Sequence, residues 1–520
     1  MDLWDYIIVG AGSAGCVLAD RLGAHPRWRI LVIEAGGSDR NLWIKMPLGY
    51  GKLYTDARFN WCYLAAADAG LNDRSGYWPR GKVLGGSGSI NAMAYVRGLP
   101  NDHDDWVSEG AKGWSWRDVA PAYDAIEASG LRITDLADRI HPFSKHFLSA
   151  SQEMGWRDGA GLAPMRATLW KGQRWSPADA FLRPALKRGN VKVITGGHVE
   201  ELEMTGRRIT GVKYRHGDQS YTASAKAEVI LSAGAIGSPQ ILMLSGIGNP
   251  AALRGLGIAP RHDLPHVGQG LQDHLALTLG FAATEPTLNG TLGRTVPRWL
   301  AGIRYILGRK GPLSLPVNQI AGFVASDNTQ PVPDLQLYAN PMSYDATSEK
   351  RPSVSSYPGF LLSAQPCRPT SRGTVSLRSS DPLDPPVIQP NSLSTDTDCD
   401  QAIRAGRMLR RLAQTPALRA VTRTPDWPSL NVASDQELLD LFRSEAASNY
   451  HACATCRMGR SALDSVIDSR LRVHGVIGLR VVDAASFPSV MSGNTQAPVM
   501  MLAHRAAETI VADAAKGGVT

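Results

Sequence analysis

At 520 residues, with 43% hydrophobic and 20% charged side chains, the chain has room for roughly two to four domains' worth of fold, and its composition excludes a disordered or fibrous protein. Lys and Arg number 55 against 47 Asp and Glu, but the resulting +8 is scattered. The densest run, Arg404, Arg407, Arg410 and Arg411, has the spacing of one solvated helix face, so nucleic acid is not an expected partner.

Residues 5–9 read as a buried strand, and Gly10-Ala11-Gly12-Ser13-Ala14-Gly15 follows directly. Gly10 permits the tight turn, Gly12 lets the backbone approach a pyrophosphate, and Gly15 lets the next helix lie close to the sheet. That helix, residues 14–22, ends at Gly23 and begins with free N–H groups that suit a phosphate. A second strand, 29–33, ends in Glu34, an acid positioned to accept from a ribose diol and to repel a 2′-phosphate, which disfavours NADP.

No charged-then-apolar leader precedes the first strand, and no run reaches the roughly 18 apolar residues of a membrane span, so a cytoplasmic protein is expected. The six cysteines are scattered, as in a reduced compartment, and Cys453-x-x-Cys456 lacks the second ligand pair of a structural zinc site, so no metal is expected.

Residues 43–80 show no clear periodicity and read as a surface crossing toward a ligand. A second glycine cluster at 80–91 is predicted to lead into a helix. Residues 227–231 form a further parallel strand that turns through Ser232-Ala233-Gly234 into a helix, with Pro239 near its start and Gly246 and Gly248 at its end.

From about 285 to 445 the texture changes to strands with proline-rich turns, for instance 333–338 and 373–377, which suits an antiparallel sheet in a separate lobe. Within it, residues 299–310 mix apolar side chains with Arg304, Arg309 and Lys310, which leaves a peripheral membrane contact open beside the ordinary reading of a surface helix. A strand at 478–483 and a helix at 497–512 close the chain. The organisation expected is a discontinuous nucleotide-binding domain (1–150, 190–284 and 446–520) and an inserted α+β substrate domain (151–189 and 285–445).

Several of these blocks resemble the glucose-methanol-choline (GMC) flavoprotein oxidoreductases. Residues 81–98 (GKVLGGSGSINAMAYVRG) look like one family signature and 234–248 (GAIGSPQILMLSGIG) like another. Val267-Gly268-Gln269-Gly270-Leu271-Gln272-Asp273-His274, Arg368-Pro369-Thr370-Ser371-Arg372-Gly373, Tyr450-His451, Cys456-Arg457-Met458-Gly459 and the stretch from Val481 to Asn494 agree as well.

The resemblance implies an α/β fold of the GMC type: a Rossmann-type FAD-binding domain with an inserted substrate domain built on an antiparallel sheet. It implies FAD held by Gly10, Gly12, Ser13, Ala14, Gly15, Glu34, Ala35 and Val199 at the ADP half. Val83, Gly85, Gly86, Asn91 and Ala94 would lie along the pyrophosphate and flavin, and Asp483, Ala484, Asn494 and Thr495 near the ribityl chain and ring. Ile90 stands where some members carry a flavin-linking histidine, so FAD is expected to be non-covalent.

By the same resemblance His451 is the catalytic base and Asn494 its partner, which fits the chemistry. Oxidising an alcohol removes a hydroxyl proton while a hydride leaves the same carbon, and an imidazole that is largely neutral at pH 7 can take the proton. Asn494 can donate to the oxygen as charge grows there. Gln319 is aligned loosely with the position where choline-specific members carry a glutamate, so a neutral primary alcohol is expected over choline, with oxygen or a quinone-type carrier as electron acceptor. A choline dehydrogenase-like activity and a GMC-type lyase with non-redox FAD are the alternatives. The oligomeric state is left open.

Overall fold

The computed structural model describes residues 3–156, 160–345, 353–427 and 434–516. Its first large sheet runs in the order Val191–Thr195, Ile30–Glu34, Leu3–Val9, Gln219–Leu231, Arg208–His216, Gly197–Thr205, with Leu479–Val481 also paired to Gln219–Leu231. The strands around Leu3–Val9 are parallel. Parallel strands are covered on both faces, so they need near-continuous apolar runs, and Ile7, Ile8, Val32, Ile230 and Val481 are accordingly fully buried. The helices Ser13–Leu22 and Gln496–Lys516 cover this sheet together, bringing the two ends of the chain side by side.

Two local expectations change. The second glycine cluster yields only the single turn Gly86–Ser89, because Gly85 and Gly86 sit at φ +87° and +55°, outside the right-handed region a helix needs. Pro239 lies inside the helix Gly234–Leu244. A proline there removes the N–H that would bond the carbonyl of Ala235, and Thr455 Oγ1 donates to that carbonyl at 2.6 Å instead. Residues 43–80 contain short helical turns and the hairpin Tyr63–Asp68/Arg74–Trp78.

The second sheet is antiparallel, in the order Thr422–Trp427, Leu275–Ala283, Gly359–Pro366, Leu335–Asn340, Ile320–Val324, Ala163–Pro164. Leu275–Ala283 thus belongs to this sheet, although the sequence reading grouped it with the nucleotide-binding segments. Alternation along the strands divides its two faces. Leu277, Leu279, Leu337, Ala339, Leu362 and Ala364 join a core with Ala402, Ala405, Met408, Leu409 and Leu412 of the helix Asp396–Ala413. The residues between them, Ala276, Thr278, Tyr338, Asn340, Leu361 and Ser363, face a cavity. On the outside of that helix, Arg404 pairs with Asp327 at 3.2 Å and Arg407 pairs with Asp435.

The short strand Ala447–Ser448 pairs with Leu275–Ala276 at one end of the second sheet. His274, just before Leu275–Ala283, and His451, just after Ala447–Ser448, meet through their Nδ1 atoms at 2.9 Å, and His451 lines the cavity.

Candidate active site

A cavity of about 670 Å³ lies between the two sheets. At one end it is lined by Gly10, Gly12, Ser13, Ala14, Glu34, Ala35, Gly86 and Val199. A Cβ on Gly10 would lie 2.5 Å from Ser232 O, and one on Gly86 2.7 Å from Gly12 Cα, so the turn closes only with glycine. The helix Ser13–Leu22 has no acid in its first turn and no side-chain cap, which leaves its leading N–H groups free for an anion.

Glu34 accepts from Ala11 N at 2.7 Å and from Gly36 N at 2.8 Å. Burial, opposed by those two bonds and by Lys82, pushes its carboxyl up to about 7. The side chain is held at the cavity edge with no ion pair among the described residues, and hydroxyl donors from a ligand would stabilise its charged form.

Midway along, Asp483 Oδ2 accepts from Gly234 N at 2.8 Å and Ser238 Oγ at 2.6 Å, and its Oδ1 accepts from Ala485 N at 2.7 Å. It ties the turn before Gly234–Leu244 to the chain carrying Ala484. Asn91 donates to Gln496 Oε1 at 2.7 Å, while Gln496 Nε2 is buried at the wall with no partner among the described residues. Ala94, Ala484, Thr495 and Gln496 line the same stretch.

At the far end the protonation pattern follows from one carbonyl. Cys367 O stands 2.9 Å from His274 Nε2, and a carbonyl only accepts, so the proton of His274 is on Nε2 and its Nδ1 is bare. His274 Nδ1 lies 2.9 Å from His451 Nδ1, so His451 must be the donor there. His451 Nε2 is then left with its lone pair, facing Asn494 Nδ2 at 3.1 Å. Tyr338 OH, shared between Gln336 Oε1 at 2.9 Å and Asn494 Oδ1 at 3.2 Å, lies on the oxygen side of the Asn494 amide, which leaves its N–H₂ toward the imidazole. Burial, then His274 and Arg80, hold His451 well below the usual histidine range, and burial lowers His274 to about 4. Both rings are neutral near pH 7.

The backbone around His451 is clamped. Asp273 accepts from His451 N at 2.6 Å and from the Ser448 hydroxyl, and Arg80 Nη1 donates to Tyr450 O at 2.6 Å. Gln272 exchanges main-chain bonds with Cys453, while its side chain holds Pro369 O at 2.6 Å and Val490 N at 2.9 Å. Asp102 anchors Ser492 through N (2.9 Å) and Oγ (2.6 Å), fixing the loop that presents Asn494.

Four expected residues lie elsewhere. Gly15 packs the helix onto the strand, where a Cβ would sit 1.9 Å from Gly10 O. Val83 is buried with Ile44, Leu53 and Ile90, and Gly85 shapes the turn beneath Gly86. Gln319 does not line the cavity. Its amide accepts from His141 N at 2.7 Å and donates to Pro316 O at 3.2 Å, and its neighbour Asn318 faces the cavity instead. The sequence reading missed Tyr50, Tyr54, Tyr338 and Tyr344 along the substrate end, and Asp102 and Asp273 behind it. No local spacing marks the tyrosines. The Gln272-Asp273-His274 block was visible, and its roles needed the fold.

Comparison with known proteins agrees with this architecture. GMC oxidoreductase family models match residues 4–276 and 369–503. The chain is 40% identical to the alcohol dehydrogenase [acceptor] of Pseudomonas putida, over 98% of this chain and 96% of that one. It is 39% identical to the mitochondrial choline dehydrogenase of Homo sapiens, over 98% and 90%. Among solved structures, pyridoxine 4-oxidase from Mesorbium loti superposes with a TM-score of 0.86 at 28% identity, covering 97% of this chain and 98% of that one. The chain belongs to the GMC oxidoreductase family.

Proposed function

From that membership we propose that the protein oxidises a neutral primary alcohol to its aldehyde using non-covalent FAD, with His451 taking the hydroxyl proton. The observation that carries this reading is the bare Nε2 of His451 beside the Asn494 amide at the cavity wall.

The residues present fit FAD. A Cβ at Gly12 would meet only Ser232 O, at 3.9 Å, so its open side faces the cavity where a pyrophosphate would lie. Glu34 suits a ribose diol, and the unpartnered donor of Gln496 suits an acceptor on the ligand. When bound, FAD supplies the ring that accepts the hydride from the carbinol carbon. Among the described residues the histidines lining the cavity are His198 and His451. His198 is bonded to Pro382 O at 3.0 Å, His451 is held as above, and Ile90 stands at the expected linkage position, which together support a non-covalent cofactor.

In the reaction His451 Nε2 accepts the hydroxyl proton, and Asn494 Nδ2 donates to the substrate oxygen as negative charge develops. His274 keeps the proton of His451 on Nδ1, so that the reactive nitrogen faces substrate. The tyrosines and Leu361 exclude water from the far end.

Substrate charge follows from the lining. Among the described residues the carboxylates at the cavity are Glu34 and Asp483, both engaged by backbone N–H groups away from His451. A quaternary ammonium would find no charge partner there, which favours a neutral alcohol. Choline is the second reading, supported by the choline dehydrogenase relatives and by Tyr50, Tyr54 and Tyr344, whose ring faces can attract a cation.

Anaerobic mixing of the holoenzyme with benzyl alcohol, linear primary alcohols and choline tests this. The expected result is bleaching of the flavin by neutral alcohols ahead of choline, followed by reoxidation on adding oxygen or a quinone. Faster bleaching by choline would install the second reading, and bleaching by none would remove the redox role.

A further inference from the structure

The helix Thr295–Gly308 is turned inside out relative to an ordinary surface helix. It rests on the protein through Ala301 and Tyr305, whose hydroxyl reaches Lys45 O at 3.4 Å. Its large apolar side chains point away: Val296 is 69% exposed, Trp299 70%, Leu300 61%, Ile303 51%, Ile306 67% and Leu307 83%. At about 100° per residue these six fall within an arc of about 120°, opposite the seam of Ala301 and Tyr305. Single exposed apolar residues are normal, but six on one helix face form a patch that a partner covers.

The charge around the patch selects the partner. Arg294, Arg298, Arg304, Arg309 and Lys310 surround it, and no Asp or Glu occurs between residues 286 and 326. Among the described residues none of the five cations has a carboxylate partner. At the same 100° per residue, Arg304 lies about 40° beyond one edge of the apolar arc, and Arg298 lies about 80° beyond the other, next to the seam. A second copy docked face to face would set these cations against their own kind, whereas anionic lipid headgroups would neutralise them while the arginine stems lie along the acyl boundary.

We propose that this helix is an in-plane docking surface for an anionic phospholipid bilayer, with the apolar arc entering the headgroup–acyl boundary and the five cations at the phosphates. No helix among the described residues is long and apolar enough to cross a membrane, so the contact is peripheral. The segment that Tyr305 grips, Leu42–Lys45, exposes Leu42 and Trp43 and runs on to Tyr50 at the cavity wall. The docked face therefore adjoins the substrate end. The inference goes beyond the proposed reaction and does not depend on which alcohol is oxidised.

The test is flotation of the holoenzyme with phosphatidylcholine vesicles, with and without phosphatidylglycerol, at low and high salt. The wild type should float with the phosphatidylglycerol vesicles and lose that binding as salt rises. Trp299→Glu with Leu307→Glu should cut binding by roughly tenfold or more, leaving thermal stability and flavin reduction by a soluble alcohol unchanged. Arg298→Glu with Arg304→Glu should remove the preference for anionic vesicles by a similar factor. Three results would overturn the proposal: no flotation of the wild type, flotation indifferent to both double substitutions, or a solution dimer that the Trp299→Glu/Leu307→Glu pair dissociates.

Discussion

The two ends of the cavity are built from different materials. The nucleotide end is made of main chain: Gly10, Gly12 and Gly86 bring backbone against backbone, the Ser13–Leu22 helix offers its N–H groups, and Glu34 is held by two of them. The His451 end is made of side chains from separate segments, with Arg80, His274, Tyr338, His451 and Asn494 converging from distant parts of the chain. Backbone geometry is set by a few adjacent residues and survives most changes nearby. A side-chain constellation depends on the register of distant strands, and each member can be removed singly.

That contrast predicts effects of different kinds. The largest is His451→Ala: FAD is retained while flavin reduction by alcohol slows by roughly two orders of magnitude or more, read by anaerobic stopped flow. Glu34→Ala should give the converse, with FAD affinity falling roughly ten- to a hundredfold by titration of the apoprotein and reduction at saturating FAD little changed. If Glu34→Ala slowed the chemistry while binding FAD normally, the division between the two ends would fail.

His274→Leu removes the lone pair that holds the His451 proton on Nδ1, and reduction should slow roughly tenfold. His274→Gln, which can both accept from His451 and donate to Cys367 O, should recover part of it. Equal losses in both variants would reduce His274 to packing.

The smallest effect is on pH dependence. A histidine whose pKa is lowered stays neutral further into acid, so reduction should be flat from about pH 6.5 upward and decline only well below it. Stability follows the same sign. His103 and His274, lowered by burial to about 4, take up protons more readily unfolded than folded. Stability is thus full above about pH 6.5 and is lost progressively toward pH 4, measurable as a falling urea midpoint. A reduction rate that titrated near 6.5 would mean that His451 is solvated in the working enzyme.

Much of the nucleotide end was legible in the sequence, because a strand, three glycines and a terminal acid are contiguous and each has one physical reason to be there. The pattern at residues 333–338 likewise announced a strand of the large antiparallel sheet, whereas Gly373–Ser376 lies in a separate three-stranded antiparallel sheet with Gln269–Leu271 and Val387–Gln389. Gln319 misled because successive residues of the chain leading into the strand Ile320–Val324 point to different sides. Asn318 faces the cavity, so an alignment loose by one position swaps wall for interior. The second glycine cluster suggested a helix because glycine runs often precede one, but two successive left-handed glycines forbid it. The chain from Cys367 through His274 to His451 could not be read locally, since its first link is a backbone carbonyl with no sequence signature.

In the proposed reaction His451, with its bare Nε2 beside Asn494, takes the alcohol proton. The most direct test is anaerobic single-turnover reduction of wild type and His451→Ala, both loaded with FAD, by the best alcohol of the panel. Rapid bleaching is expected in the wild type, and bleaching slowed roughly a hundredfold or more in the variant at equal flavin content. Equal rates in the two would contradict it.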